Sequence, residues 1–126
     1  MTINVGIYLY NEVEVLDFAG PFEVFSTASR VNARRSPESE NLFNVFTVAE
    51  EQTSVIARGG LQIIPKYSIS GHPEINVLII PGGIVTDELV KDHIVSWIHN
   101  SSKNADITAS VCTGAFLLAK AGLLKS

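Results

Sequence analysis

The sequence has one cysteine, few charged residues and no long hydrophobic run. A single cysteine cannot form an internal disulfide, so the chain is not a disulfide-stabilised scaffold. Charged residues make up 17% of the chain and the net charge is −4, without a basic stripe, so we expect no nucleic-acid binding by this segment. Apolar runs such as VLIIP are too short to span a bilayer. No positive residue precedes the apolar N-terminal stretch, which is atypical of a signal peptide, and we expect a cytoplasmic protein with no membrane role.

The chain is rich in apolar sequence, because 46% of its 126 residues are hydrophobic, and this is enough to bury a core. β-Branched and aromatic runs predict strands at residues 3–10, 42–49, 77–80 and 107–111. A helix-like pattern at residues 15–29 is interrupted by Gly20-Pro21, so we predict a helix that has Pro21 in its first turn and runs to about residue 30. Helical periodicity also predicts helices at residues 87–100, with an apolar stripe that includes Val90, and at residues 113–121. The polar segment 32–41 indicates a surface loop.

The order of these elements predicts the fold class. Strands that alternate with helices are typical of a three-layer α/β sandwich with a mostly parallel, flavodoxin-like sheet, and we expect one domain over residues 1–126. Residues 54–57 and 61–64 flank Arg58-Gly59-Gly60, which indicates a small hairpin. The sequence stops soon after an apolar helix, so we expect C-terminal elements of the domain to be missing.

Three features of the sequence follow predicted strands. Asp17 comes soon after the first strand, Gly82-Gly83 follows the strand at 77–80, and Cys112 follows the strand at 107–111. Ligands of open α/β sheets bind beyond the carboxyl ends of the strands. We therefore expect these residues to lie near one another at a candidate site.

Cys112 lies at a predicted strand–helix corner, which has a chemical use. A tight turn lifts the sulfur out of the sheet, the helix N-terminus favours the thiolate, and the N–H of Thr113 can donate to a developing negative charge. Gly114 lets the chain turn there without steric cost. A buried structural cysteine is the alternative, and the strand–helix pattern alone leaves both interpretations open.

The glycines and the acid also have two interpretations each. Gly82 and Gly83 indicate a turn, and Gly83 in addition offers a backbone N–H as a second oxyanion donor. Asp17 lies among apolar residues, where a carboxylate is costly to bury unless it is hydrogen-bonded or functional. Near a thiol it is a general acid or base, and the alternative is a helix N-cap.

The sequence gives no sign of a metal site or a phosphate-binding loop. The histidines, His72, His93 and His99, lack the spacing of paired metal ligands and have no accompanying Cys/Asp cluster, so we expect surface residues. We accordingly predict no metal and no organic cofactor.

Together, LDFAGPFEVF, VLIIPGG and SVCTGAFLLAKAGLL resemble the ThiJ/PfpI superfamily, whose sandwich is similar to class I glutamine amidotransferase domains. The branch it most resembles contains isonitrile hydratases and the sensor domains of AraC-type regulators. This resemblance implies that Cys112 is the nucleophile, that Asp17 is the acid beside it, and that Gly83 and Thr113 offer N–H groups. Family members commonly continue past AGLL with a histidine segment, further sheet and helix, and oligomer contacts, so any catalytic histidine from that region is unassigned.

The resemblance also implies a function and its alternatives. We expect an isonitrile hydratase-like enzyme, a homodimer that adds water to a small isocyanide through a cysteine thioimidate. A ligand-sensing domain of an AraC-type transcription regulator is the first alternative. A redox-responsive or protein-protective member, in which Cys112 is oxidised to the sulfinate, is the second.

Overall fold

The computed structural model describes residues 1–124. The strands are β1 (Ile3–Leu9), β2 (Phe43–Ala49), β3 (Val55–Ile56), β4 (Gln62–Ile63), β5 (Tyr67–Ser68), β6 (Val77–Ile80) and β7 (Ile107–Ser110), and the helices are α1 (Val15–Arg35), α2 (Thr86–Leu89), α3 (Asp92–Asn104) and α4 (Gly114–Lys120). A 3-10 turn at Arg58–Gly60 separates the antiparallel strands β3 and β4. The predicted hairpin is therefore confirmed.

The central sheet contains five parallel strands in the order β5-β2-β1-β6-β7. Its four longer strands, in the order β2-β1-β6-β7, follow the flavodoxin-like arrangement with β1 inside the sheet. The chain adds β2 on one side of β1 and the later strands β6 and β7 on the other side, so the topological switch point lies between β1 and β6. β1 pairs with β2 along its whole length and with β6 from Val5 to Ile7, and its residues are buried from Val5 onward. The predicted α/β fold with a mostly parallel sheet is confirmed.

Helices cover both faces of this sheet. Phe25 of α1 packs edge-on against Phe43 of β2, with ring centroids 4.8 Å apart, whereas Trp97 of α3 contacts Tyr8 of β1 at 5.5 Å. Tyr8 pairs with Val48, an odd number of residues from Phe43, so the two contacts lie on opposite faces. Helix α4 packs against α3 and β6. Within residues 1–124, no helix combines the length and apolar character that a membrane crossing requires.

Helix α1 begins earlier than predicted. Its helical backbone starts at Val15, so Pro21 lies inside the helix and not in its first turn. Pro21 has no N–H to donate to the carbonyl of Asp17, which costs one helical hydrogen bond. Packing of the inner face of α1 against the sheet, including the buried Phe18, outweighs the loss of this hydrogen bond. The sequence pattern did not reveal that packing.

Two other predicted boundaries were also wrong. Helix α1 continues to Arg35, so residues 32–35 of the predicted loop are helical, and two arginines in the last turn complement the helix dipole. The predicted helix at 87–100 is in the structure two helices, α2 and α3, with a non-helical interruption between them. Val90 in that interruption is 78% exposed and does not belong to the apolar stripe. Strand β5 was not predicted, because two residues are too few to show a period.

A buried charge links α2 to the sheet. Glu88 is 4% exposed, the hydroxyl of Tyr8 donates to its Oε1 at 2.5 Å, and Lys91 Nζ lies 2.7 Å from its Oε2. Lys91 also reaches Glu50 at 3.0 Å, and Glu50 contacts His93 at 2.6 Å. Burial alone would lower the pKa of Lys91, but its hydrogen bonds to the two carboxylates raise that pKa above its ordinary value. Lys91 therefore stays charged and offsets the cost of burying Glu88.

We expect Lys91→Met to destabilise the protein, because it leaves the carboxylate of Glu88 buried without a cation. Breaking a buried ion pair in this way typically costs about 3–5 kcal/mol, and the partial exposure of Lys91 favours the lower end of that range. The free energy of unfolding measured by denaturant titration tests this.

The double variant Glu88→Gln/Lys91→Met is the matched control, since the amide oxygen of the new glutamine would still accept from Tyr8 and the side chain would carry no charge. It should recover most of the lost stability. Equal losses in the single and the double variant would show that the stem of Lys91, and not its charge, is what matters.

Candidate functional site

Three separate segments of the chain meet at Gly82, just beyond the carboxyl end of β6. A β-carbon placed on Gly82 would lie 2.8 Å from Asp17 Oδ2 and 2.9 Å from both Cys112 Cβ and the backbone N of Thr113. Side-chain carbons do not tolerate such distances, so only glycine fits here. The structure thus brings together Asp17, Gly82 and the Cys112-Thr113 corner, which the sequence placed at the ends of three different strands.

Cys112 occupies a strained corner between β7 and α4. Its φ is +49°, in the left-handed region that a residue with a β-carbon rarely adopts. The corner is held by Gly114, where a β-carbon would overlap the carbonyl oxygen of Ile80, and by Val111, whose N–H donates to that same oxygen at 3.0 Å. The Cys112 residue is exposed, which does not fit the alternative of a core-filling cysteine.

Gly83 forms the second wall of the site and is coupled to Thr113. Its φ is +152°, and a β-carbon there would overlap the carbonyl oxygen of Glu12, so the turn requires glycine. The N–H of Gly83 donates to Thr113 Oγ1 at 2.9 Å, and that hydroxyl donates back to Gly83 O at 2.8 Å. The predicted donor at Gly83 is thus engaged in this structure. The N–H of Thr113 itself has no acceptor within residues 1–124.

Asp17 reaches the site from the first turn of α1, where the helix dipole stabilises a negative charge. Its Oδ2 is buried and has no hydrogen-bond partner within residues 1–124. Asp17 is not the N-cap, because the helix begins after Glu14 and no side chain caps it. A buried carboxylate oxygen without a donor is costly, and here it lies beside Gly82, as does the β-carbon of Cys112. This placement suits an oxygen that exchanges a proton with a neighbouring thiol.

The charges around the thiol oppose its ionisation. The negative charge of Asp17 is the largest cause that raises the pKa of Cys112 above its ordinary value, followed by the thiol's interaction with the same carboxyl, partial desolvation and the charge of Glu14. The sequence predicted that the helix N-terminus would favour the thiolate. In the structure the two carboxylates work in the opposite direction, so at neutral pH the proton remains on sulfur.

The three histidines of the sequence lie away from the Cys112 site. Trp97 donates to His72 at 3.0 Å, His93 contacts Glu50, and His99 lies 2.8 Å from the carbonyl oxygen of Ala121. None of these partners belongs to the Cys112 site. Across residues 1–124, no group of three or more His, Cys, Asp or Glu side chains is arranged to hold a metal ion.

Sequence reasoning missed two features near the sheet edge. Glu14 acts electrostatically on Cys112, and the signal available was its spacing of three residues from Asp17. A separate cavity of about 210 Å³ at the ends of β1 and β2 is bordered by Tyr10 and by the buried Glu88 network, and its lining includes neither Cys112 nor Asp17. No local pattern reveals that cavity, because its wall is assembled from segments far apart in the chain.

Residues 4–126 match the DJ-1/PfpI family. The chain belongs to this family. The resemblance seen in the three sequence motifs is thereby confirmed, and the strained corner at Cys112 lies within the matched region.

Two of the curated relatives have different described roles. The chain is 29% identical to an isonitrile hydratase of Pseudomonas putida, over 99% of this chain and 50% of that protein. It is 26% identical to the HTH-type transcriptional regulator GbdR of Pseudomonas aeruginosa, over 96% of this chain and 31% of that protein. The crystal structure of a ThiJ/PfpI family protein from Pseudomonas syringae superposes with a TM-score of 0.83 at 22% identity, over 100% of this chain and 48% of that one. The chain thus spans half or less of the length of these relatives.

We expect Asp17→Asn to make Cys112 more reactive toward simple alkylating agents. The substitution removes the negative charge that raises the pKa of the thiol, so that pKa falls and more thiolate is present at a mildly alkaline pH. Alkylation by iodoacetamide should become several-fold faster at that pH, and the midpoint of the rate-against-pH curve should move to lower pH.

Glu38→Gln is the matched control for this experiment. Glu38 is exposed and lies beyond the opposite end of α1, so the same loss of one negative charge should leave the curve where it is. An Asp17→Asn curve that overlays the wild-type one would contradict the electrostatic coupling.

Proposed function

We propose that the protein is an isonitrile hydratase-like enzyme that converts a small isocyanide, R–N≡C, to the N-substituted formamide, with Cys112 as nucleophile. One observation carries this proposal: an exposed cysteine on a strained corner and a buried carboxylate oxygen without a hydrogen-bond partner within residues 1–124 both lie within 3 Å of the β-carbon position of Gly82. The 29% identity to an isonitrile hydratase over nearly the whole chain supports it.

The first step joins the sulfur to the terminal carbon of the isocyanide. The thiol is protonated at rest because the charge of Asp17 raises its pKa, so the proton must leave as the S–C bond forms. Asp17 takes that proton and delivers it to the same carbon, and the product is the thioimidate R–N=CH–S–Cys112. The carbon of an isocyanide accepts both a nucleophile and a proton, so this step needs no leaving group.

Water completes the reaction. Asp17 accepts a proton from a water molecule that attacks the thioimidate carbon and passes that proton to the substrate nitrogen. The intermediate R–NH–CH(OH)–S–Cys112 then collapses with cleavage of the C–S bond. It releases R–NH–CHO and returns the thiol, so the overall balance is one isocyanide plus one water.

Backbone donors stabilise the charge that develops during these steps. The N–H of Thr113 lies next to the thiol and has no acceptor within residues 1–124, so it is available to an oxyanion. The N–H of Gly83 joins it when the side chain of Thr113 rotates away. These groups need no metal or organic cofactor as a partner. The homodimer and the cytoplasmic location expected from the sequence stay predictions.

A ligand-sensing role is the second candidate. The match to the regulator GbdR, over 96% of this chain, favours it. In that case the same site binds a small molecule without turning it over, and no product forms at any substrate concentration. A redox-responsive role is less favoured, because oxidation proceeds through the thiolate and Asp17 raises the pKa of Cys112.

We expect the purified protein to convert cyclohexyl isocyanide to N-cyclohexylformamide, followed by chromatography with mass detection. Cys112→Ala should abolish turnover, since no other nucleophile replaces the sulfur. Asp17→Asn should lower kcat by about 10²-fold or more, because it removes the proton carrier. Glu38→Gln should match the wild type.

Full turnover by Cys112→Ala would rule out the covalent mechanism. Saturable binding of the isocyanide without formation of any formamide by the wild type would instead point to the sensor role. Calorimetry on the same preparations measures isocyanide binding, and chromatography measures the formamide, so the two outcomes are distinguished.

A further inference from the structure

Two carboxylates at the start of α1, those of Asp17 and Glu14, act electrostatically on the reactive cysteine. Glu14 precedes the helix and Asp17 lies in its first turn, and the N–H of Asp17 donates to the carbonyl oxygen of Glu14 at 3.2 Å. This hydrogen bond places the two residues in one turn of the chain at the start of α1, next to the strained corner at Cys112.

The position of Glu14 is fixed by the same glycines that form the site. Its N–H donates to Gly82 O at 2.8 Å, and a β-carbon on Gly83 would lie 3.0 Å from that same nitrogen. Glu14 is thus adjacent to the point where Asp17 and Cys112 meet. Its side chain is half exposed, so it borders the approach to the thiol, and its charge contributes to the raised pKa of Cys112.

Arg58 compensates the negative charge of Glu14 only weakly. Arg58 Nη1 lies 3.9 Å from Glu14 Oε2, and both side chains are half exposed. Exposed ion pairs of this kind contribute little, because solvent screens them. The buried Oδ2 of Asp17 has no partner within residues 1–124, so the second negative charge is also without a counterion. A ligand approaching Cys112 therefore meets an excess of negative charge.

We propose that Glu14 is a specificity-determining residue, which makes the Cys112 site accept neutral and cationic substrates in preference to anionic ones. The identity of the reacting group, an isocyanide, rests on the proposed function, whereas the charge preference rests only on the geometry around the thiol. Within a Debye length of the sulfur, a carboxylate on the substrate is repelled and an ammonium group is attracted. The substrate class is accordingly an isocyanide whose R group is uncharged or carries an amine.

Two methanethiosulfonate reagents of opposite charge test this preference without any catalysis. One bears a trimethylammonium group and the other a sulfonate, and both form a mixed disulfide with Cys112 and release methanesulfinate. The ratio of the cationic to the anionic rate constant, measured by intact mass in low-salt buffer, should be high in the wild type. In Glu14→Gln it should fall about three- to tenfold, and added salt should shrink the difference.

Two further variants sharpen the result. Arg58→Gln removes the opposing cation and should raise the ratio, whereas Glu38→Gln, which removes a distant charge, should leave it unchanged. An unchanged ratio in Glu14→Gln would overturn the proposal. Comparison of kcat/KM for trimethylammonium-bearing and carboxylate-bearing alkyl isocyanides extends the test to substrates.

The outcomes separate this proposal from the proposed function. A shifted reagent ratio in a protein that hydrates no isocyanide supports the charge preference and rejects the hydratase. Hydration of both isocyanides at equal rates, with an unshifted reagent ratio, rejects the charge preference and supports the hydratase.

Discussion

The site depends on a close approach of backbone to backbone for which a single side-chain carbon is too large. At Gly82, three atoms from two other parts of the chain lie within 3 Å of the position that a β-carbon would take, and at Gly114 the carbonyl oxygen of Ile80 comes closer still. These contacts hold Cys112 at a positive φ and keep its thiol exposed beside Asp17. Strain at the corner is thus supported by a sheet and two helices that pack around it.

This arrangement sets the chemistry of the resting thiol. A cysteine at a helix N-terminus is usually described as a thiolate, but the carboxylates of Asp17 and Glu14 raise the pKa of Cys112. The resting cysteine is therefore a thiol beside the carboxyl group of Asp17. Such a pair has both a proton to give and a base to take it, which suits addition of S–H across one carbon better than direct attack by a free thiolate. A raised pKa also disfavours oxidation of Cys112, which proceeds through the thiolate.

The sequence predicted the strands and helices whose hydrophobic residues repeat with a regular period. It also predicted the site residues that follow those strands in the chain. Asp17, Gly82 and Cys112 were placed near one another because the carboxyl ends of parallel strands share an edge. The position of Pro21 inside α1 was not predictable, since tertiary packing overrides a local breaker. The hydrogen bonds between Thr113 and Gly83, and the one from Tyr8 to Glu88, join segments far apart in sequence, so no local pattern encodes them.

The central claim is that Cys112 becomes covalently bonded to the isocyanide carbon during turnover. Rapid quenching of the protein with a small isocyanide, followed by intact mass and peptide mapping, measures this bond directly. The account predicts a transient species heavier by one whole isocyanide, with the added mass on the peptide that contains Cys112 and with decay at the rate of formamide release. Formation of formamide at an undiminished rate while Cys112 stays unmodified throughout would contradict it.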